Sequence, residues 1–177
     1  MNDELMKKLI TAAKKGDAQA FGQLYSEYSR DLYRFALYYL KNEYDAEDAV
    51  QDAALAAFRN MRSLKKNEAF KSWFFKILSN ECKKHIQKKK ARREELTDDG
   101  TVLADSSDQQ TESYGEIIGL LDLLPEKDRE IVTLSVINGC NSKEISEITG
   151  MKAVTVRSRL SRALHKLREE MSERCPE

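Results

Sequence analysis

Between Lys152 and Arg168 the chain carries six basic residues and no acid, and three of the bases, Arg157, Arg159 and Arg162, alternate with Thr155, Ser158 and Ser161. Guanidinium and hydroxyl groups at this spacing suit recognition more than bond-making. Arginine forks meet guanine edges or phosphates, and hydroxyls serve either purpose. At 100° per residue, Val156, Leu160, Ala163, Leu164 and Leu167 fall on one helical face. Val154, Thr155, Ser158, Ser161 and Arg162 fall opposite, with Arg157 and Arg159 on the flanks. Short side chains on the outer face would let such a helix approach base edges closely, as a major-groove recognition helix must. A basic amphipathic hairpin with a solvated charge face is the plainer alternative. The residues just upstream weigh against it. Asn141 and Glu144 have the spacing of a capping pair, Ile145 and Ile148 give an inward edge, and Gly150 can end a short helix in the left-handed conformation.

A second basic block runs from Lys76 to Arg93, with eight bases against one acid. Ser72, Lys76, Asn80, Lys83, Gln87 and Lys90 share a face there, opposite Phe74 and Leu78, and such a stripe could track a phosphate backbone. The preceding loop SLKKNEA, Ser63 to Ala69, offers Lys65, Lys66 and Asn67 as polar groups for an unstacked base. A merely solvated lysine-rich face is the competing reading. Trp73 could stack on a base, but its place on the apolar edge assigns it to the core.

From Lys41 to Asp52 five acids face one lysine. Asp45, Asp48 and Asp52 line the side opposite Val50 and Phe58, and Leu55 sits beside them. An apolar side chain among exposed carboxylates is an anchor for a partner surface. Metal ligation is the rival idea, yet this helix has no histidine and no Glu-x-x-His pair.

Nothing supports catalysis. The two histidines, His85 and His165, lie in basic helices without a spaced acid and nucleophile, and there is no glycine loop to cradle phosphate. No cofactor and no metal are expected. The three cysteines, Cys82, Cys140 and Cys175, are far apart and odd in number, which argues against disulfides and a zinc ribbon. The N-terminus has neither a secretory signal nor a membrane span, so a cytoplasmic protein without membrane insertion is expected.

These surfaces need helices to carry them. Two prolines and seven glycines leave little to break helices, and good helix formers abound. Asp17 is a credible N-cap after Gly16. It opens a helix in which Phe21, Leu24, Tyr25, Tyr28, Leu32, Phe35 and Tyr39 recur at three- and four-residue steps. Further helices are expected from about Asp45 to Met61 and from about Phe70 to Lys90. The stretch EELTDDGTVLADSSDQQTES lacks helical periodicity and reads as a flexible linker. After it, Ile117 to Leu124 begins another helix, and Pro125 suits the first turn of LPEKDREIVTLSVI. The expected fold is all-α, with two small helical domains. An N-terminal helical bundle, residues 1–93, and a C-terminal helix-turn-helix domain, 114–177, are joined by a flexible acidic linker, 94–113.

With these residues assembled, the chain resembles the extracytoplasmic-function (ECF) group of the sigma-70 family along nearly its whole length. GDAQAFGQLYSEYSRDLYRFALYYL and DAEDAVQDAALAAF look like that family's polymerase-binding helices. The resemblance implies that Asp45, Asp48, Gln51, Asp52 and Leu55 meet the clamp helices of the largest subunit of core RNA polymerase. FKSWFFKILSNECKKHIQKKKARR is similar to the minus-ten region. This implies contact with promoter DNA by Lys76, Asn80, Lys83 and Lys84, and base capture by the loop of Lys65, Lys66 and Asn67. LPEKDREIVTLSVINGCNSKEISEITGMKAVTVRSRLSRAL looks like the minus-thirty-five domain. There the implied contacts are Lys152, Ala153, Thr155, Arg157, Ser158, Arg159, Ser161 and Arg162, and the implied protein partner is the flap of the second polymerase subunit. The implied function is that of a sigma factor directing promoter recognition and open-complex formation without nucleotide hydrolysis. An anti-sigma factor is a further candidate partner, since the family often pairs with one. The alternatives are a polymerase-independent helix-turn-helix regulator, which would need a dimerising or ligand-sensing unit, and a purely structural helical adaptor.

Overall fold

The computed structural model describes residues 2–97 and 112–174. Among them every regular element is helical. Helix α1 (Asp3–Lys14) is capped by Asn2, whose side chain accepts from the Glu4 amide, and it buries Leu9, Ile10 and Ala13. It ends at Gly16, where φ is +96°. Asp17 then accepts from the Ala20 amide at 3.0 Å and opens α2 (Ala18–Leu40), satisfying one of the amides that a helix start leaves unpaired.

Helix α3 (Glu43–Asn60) starts two residues earlier than expected. Asn42 takes the capping position and accepts from the Asp45 amide at 2.9 Å. Two short 3-10 turns, Met61–Ser63 and Asn67–Ala69, lead into α4 (Phe70–Thr97). The N-terminal bundle closes on aromatic rings. Phe35 stacks on Tyr39 at 5.5 Å and meets Phe75 edge-on at 5.9 Å, while Phe70 meets Phe74 at 5.8 Å. Trp73 is half-buried against this core, as its apolar edge implied.

Helix α4 continues past the expected end of the bundle, so the first residues assigned to the linker, Glu94 to Thr97, are helical. Helix α5 (Glu112–Asp122) likewise takes in Glu112 and Ser113. Residues 98–111 of the expected linker lie outside the described residues.

Pro125 caps α6 (Glu126–Val132). The expected single helix over this stretch changes character at Thr133. Thr133–Ile137 form a π-helical turn, where the Asn138 amide reaches back five residues to the Thr133 carbonyl at 3.2 Å. Gly139, at φ +63°, then turns the chain into α7 (Ser142–Thr149) and α8 (Ala153–Arg174).

The C-terminal helices do not stand apart from the bundle. Ile131, Leu134, Cys140, Ile145, Ile148 and Val156 join one continuous buried cluster with the N-terminal aromatics. Tyr38 of α2 joins a second cluster with Ile118, Leu121, Leu124, Val132 and Ala163.

Candidate nucleic-acid and partner interfaces

The helix-turn-helix is built by local chemistry. Asn141 Oδ1 accepts from the Lys143 and Glu144 amides at 2.9 and 3.0 Å, and Glu144 Oε2 accepts from the Asn141 amide at 2.8 Å. The capping box is complete. Gly150 ends α7 at φ +76°, and its amide donates to the Ser146 carbonyl. Ile145 and Ile148 point inward from α7, and Val156 and Ala163 from α8. The opposite side of α8 is bare, with Lys152, Val154, Thr155, Arg157, Ser158, Ser161 and Arg162 all exposed. Ala153 is half-buried.

Arg159, expected among the DNA contacts, is half-buried. Its Nη1 donates to Asp128 Oδ1 at 2.7 Å and ties α8 to α6. Sequence spacing placed it on a flank but could not show that an acid one helix away would occupy it.

Helix α4 divides the basic face expected on it. Lys76, Asn80, Lys84 and Gln87 are exposed, whereas Ser72 is buried and Lys83 half-buried. The cover comes from the C-terminal half. Ser72 Oγ donates to Glu147 Oε2 at 2.8 Å, Ser79 Oγ donates to Glu130 Oε1, and Lys83 Nζ lies 3.0 Å from the same oxygen. Glu130 is only 2% exposed. Lys90 Nζ sits 3.4 Å from Glu126 Oε2, and the Tyr39 hydroxyl donates to Glu126 Oε1 at 3.3 Å. Lys41 pairs with Asp122, and Asn138 Nδ2 donates to the Asp31 carbonyl at 2.8 Å.

Sequence reading missed all these partners. The one available signal was Glu130, a charge followed by the apolar residues Ile131 and Val132, which announces a buried polar contact without naming its partner.

In the loop before α4, Lys65 and Lys66 are exposed. Asn67 is half-buried, and its Oδ1 accepts from Lys14 Nζ at 3.0 Å. Arg62 Nε donates to the Lys14 carbonyl at 3.3 Å. The end of α1 thus braces this loop, a role no motif indicated.

On α3, Asp48, Gln51 and Asp52 are exposed, and Leu55 retains 55% of its surface in solvent. Asp45 differs, since Lys89 Nζ lies 2.6 Å from its Oδ2. Asp52 Oδ2 lies 3.6 Å from His85 Nε2. Among the described residues no cluster of three or more His, Cys, Asp or Glu is placed to hold a metal ion.

Burial sets the state of the interior groups. It pushes the Cys82 thiol well above its ordinary range, with the Glu130 carboxylate adding to the shift. Cys140 is pushed up to about 11 by burial, against a lowering effect of Lys71. Tyr39 is raised by burial and then by the nearby Glu130 and Glu126 carboxylates. All three stay protonated at neutral pH, so the two thiols are packing groups and not nucleophiles.

A last surface is apolar. A groove of about 600 Å³ runs between α5, the π turn and α8, with Val136 and Met171 more than half exposed at its rim. No described helix is long and apolar enough to cross a membrane.

Comparison with known proteins accounts for both halves. Residues 24–92 match Sigma-70 region 2, and residues 114–167 match Sigma-70 region 4. The chain is 32% identical to RNA polymerase sigma factor SigV of Bacillus subtilis, covering 83% of this chain and 88% of that protein. It is 30% identical to ECF RNA polymerase sigma factor SigW of the same organism, covering 94% and 97%. Among solved structures, the sigma factor RpoE bound to the anti-sigma factor NepR from Bartonella quintana aligns with a TM-score of 0.71 at 26% identity. That alignment covers 88% of this chain and 98% of that one. CnrH in complex with the cytosolic domain of CnrY aligns with a TM-score of 0.76 over 96% and 98%; at 24% identity this is a likeness of fold.

Proposed function

This chain belongs to the ECF group of the sigma-70 family, and we propose that, as a sigma factor binding core RNA polymerase and directing promoter recognition, it divides the task between its two halves. Residues 1–93 bind polymerase and hold the minus-ten element. Residues 114–177 read the minus-thirty-five element, and residues 94–113 link them. The reading rests above all on the pairing, within one chain, of an acidic face carrying exposed Leu55 with a bare arginine and hydroxyl face on α8.

On α3, Asp48, Gln51 and Leu55 form the anchor for the clamp helices, joined by Asp52 and at the edge by Asp45. Leu55 supplies apolar area and the carboxylates supply complementary charge. Lys76, Asn80, Lys83 and Lys84 hold the promoter strand on α4, and the loop of Lys65, Lys66 and Asn67 captures an unstacked base. In the C-terminal half, Lys152, Ala153, Thr155, Arg157, Ser158, Ser161 and Arg162 enter the major groove, with Arg159 holding α8 in place behind them. The apolar groove rimmed by Val136 and Met171 is the surface suited to the flap.

Binding energy drives strand separation, so no nucleotide is hydrolysed and no catalytic residue or cofactor is assigned. The chain works where polymerase and DNA are, in the cytoplasm. An anti-sigma factor is a further partner, in keeping with the complex formed by the RpoE relative. A polymerase-independent regulator would not require the α3 anchor.

The test is to add the purified chain to sigma-free core polymerase with fragmented genomic DNA from its source. A stoichiometric complex and discrete new transcript starts are expected. Sequence-specific duplex binding by the chain alone, with no polymerase complex, would overturn the reading.

A further inference from the structure

Helix α1 ends against the loop that precedes α4, and one residue makes two hydrogen bonds there. The Lys14 carbonyl is among the last of α1, where a helix leaves its carbonyls without partners, and Arg62 Nε donates to it at 3.3 Å. A guanidinium is well placed at that negative end of the helix dipole. The Lys14 side chain reaches further along the loop, and its Nζ donates to Asn67 Oδ1 at 3.0 Å. Lys14 is half-buried, whereas its neighbour Lys15 is exposed. The loop is therefore fixed at its root by buried Met61 and Leu64, and at Asn67 by the end of a helix 53 residues away.

The chemistry of that contact has a direction. An asparagine amide has an oxygen that accepts and an NH2 that donates twice, and a half-turn of the side chain exchanges them. An ammonium can only donate. Lys14 thus requires Oδ1 on the side toward α1, because the reversed amide would set donor against donor. Nδ2 is left with no partner among the described residues. Asn67 is the only amide in this loop, where Lys65 and Lys66 can only donate and the ionised Glu68 can only accept. Its orientation decides whether a base on the far side meets a donor or an acceptor, and Lys14 sets that orientation.

We propose that Lys14 is a positioning residue for minus-ten recognition, turning the NH2 of Asn67 toward the captured base and so selecting a base edge with two adjacent acceptors. Cytosine offers O2 and N3 in that relation, and guanine offers O6 and N7. Adenine sets its amino donor between N1 and N7, and thymine sets N3–H between its two oxygens. This inference rests on the reading above that the loop captures a base.

The test uses the full chain bound to core polymerase, on promoter templates taken from its genomic transcript starts with each minus-ten base varied in turn. The captured position is the one at which Asn67→Ala changes the base preference. There the unaltered chain should favour cytosine or guanine over adenine by about tenfold, the worth of one good pair of base contacts. Lys14→Met, which keeps the stem and removes the donor, should cut that ratio at least about threefold, the worth of one hydrogen bond. Lys14→Arg, again a pure donor, should restore it. Asn67→Asp keeps an acceptor for Lys14 but removes both outward donors, and should abolish the preference with Lys14 in place. Because Lys14 acts only through the amide, Lys14→Met added to Asn67→Ala should leave the ratio of Asn67→Ala unchanged.

A fall in yield that is equal for all four bases in Lys14→Met would mark a weakened fold or a lost phosphate contact and would overturn the proposal. An unchanged ratio would do the same. If Asn67→Ala alters no base preference, base capture by this loop fails and the proposal falls with it. If Asn67→Ala acts and Lys14→Met does not, the capture reading stands and only the positioning role is lost.

Discussion

The polymerase anchor can be tested by combining Leu55→Ala with Asp48→Lys. Leu55 keeps 55% of its surface in solvent in the free chain. Full burial of a leucine is worth about 1.5–3 kcal/mol, so covering the exposed half against a partner contributes about 1–1.5 kcal/mol. Asp48 is exposed, and no base among the described residues pairs with it. Exposed pairs contribute up to about 1 kcal/mol, and reversal replaces attraction with repulsion, so about 1–2 kcal/mol more is lost. The sum, about 2–3.5 kcal/mol, corresponds to a weakening of about 30- to 300-fold in Kd. The fold should not register the change, because both substitutions are at exposed helical positions where effects stay within about 0.5 kcal/mol. Asp45→Ala is the internal comparison. Its carboxylate is already held by Lys89 at 2.6 Å, so it should weaken polymerase binding by less than about threefold. The assay is titration of labelled chain with sigma-free core polymerase, accompanied by a circular dichroism melt. A double variant with an unchanged melt and an affinity within twofold of the original would refute the assignment of this face.

The arginines of α8 should separate by role. Arg157→Ala with Arg162→Ala should lose upstream promoter protection in footprints while holoenzyme assembly and melting stay unchanged, whereas Arg159→Ala should lower the melting temperature by breaking its contact with Asp128. Footprints unaltered by the first pair would contradict the recognition face. Gly150→Ala meets no atom within 4 Å, so its cost is purely conformational. A left-handed non-glycine residue costs about 1–2 kcal/mol, less about 0.4–1 kcal/mol regained through the stiffer unfolded chain, and a urea titration should show a net loss. No loss would mean that the turn relaxes. The buried Cys82, Cys140 and Tyr39 are raised in the folded state, so the stability they confer is whole below about pH 9 and falls as pH climbs toward the Cys140 value of about 11. Urea midpoints from pH 8 to 11 should therefore decrease, and a flat series would contradict the burial of these groups.

Much of the chain was legible because its signals are local. Asp17 capping α2, the Asn141 and Glu144 box, and left-handed Gly150 each join residues at most four apart, and the apolar steps of α2 and α8 needed only the helical repeat. These features fixed an all-helical chain with a helix-turn-helix near its end, and the order of charged segments carried the family resemblance. Helix ends followed less closely. Asn42 displaced Asp45 at the start of α3, and the helical propensity of Glu94 and Glu95 carried α4 into the expected linker.

What the sequence could not give is which polar faces would be covered. Ser72 meets a carboxylate 75 residues away, Ser79 one 51 away, and Arg159 one 31 away. A helical period states the direction in which a side chain points, but only the packing of distant helices decides whether water, a nucleic acid or another part of the chain lies beyond it. For α4 that decision gave half of the basic face to the C-terminal carboxylates, which no pattern within α4 could record, because the forces that select it act through space between segments far apart in sequence.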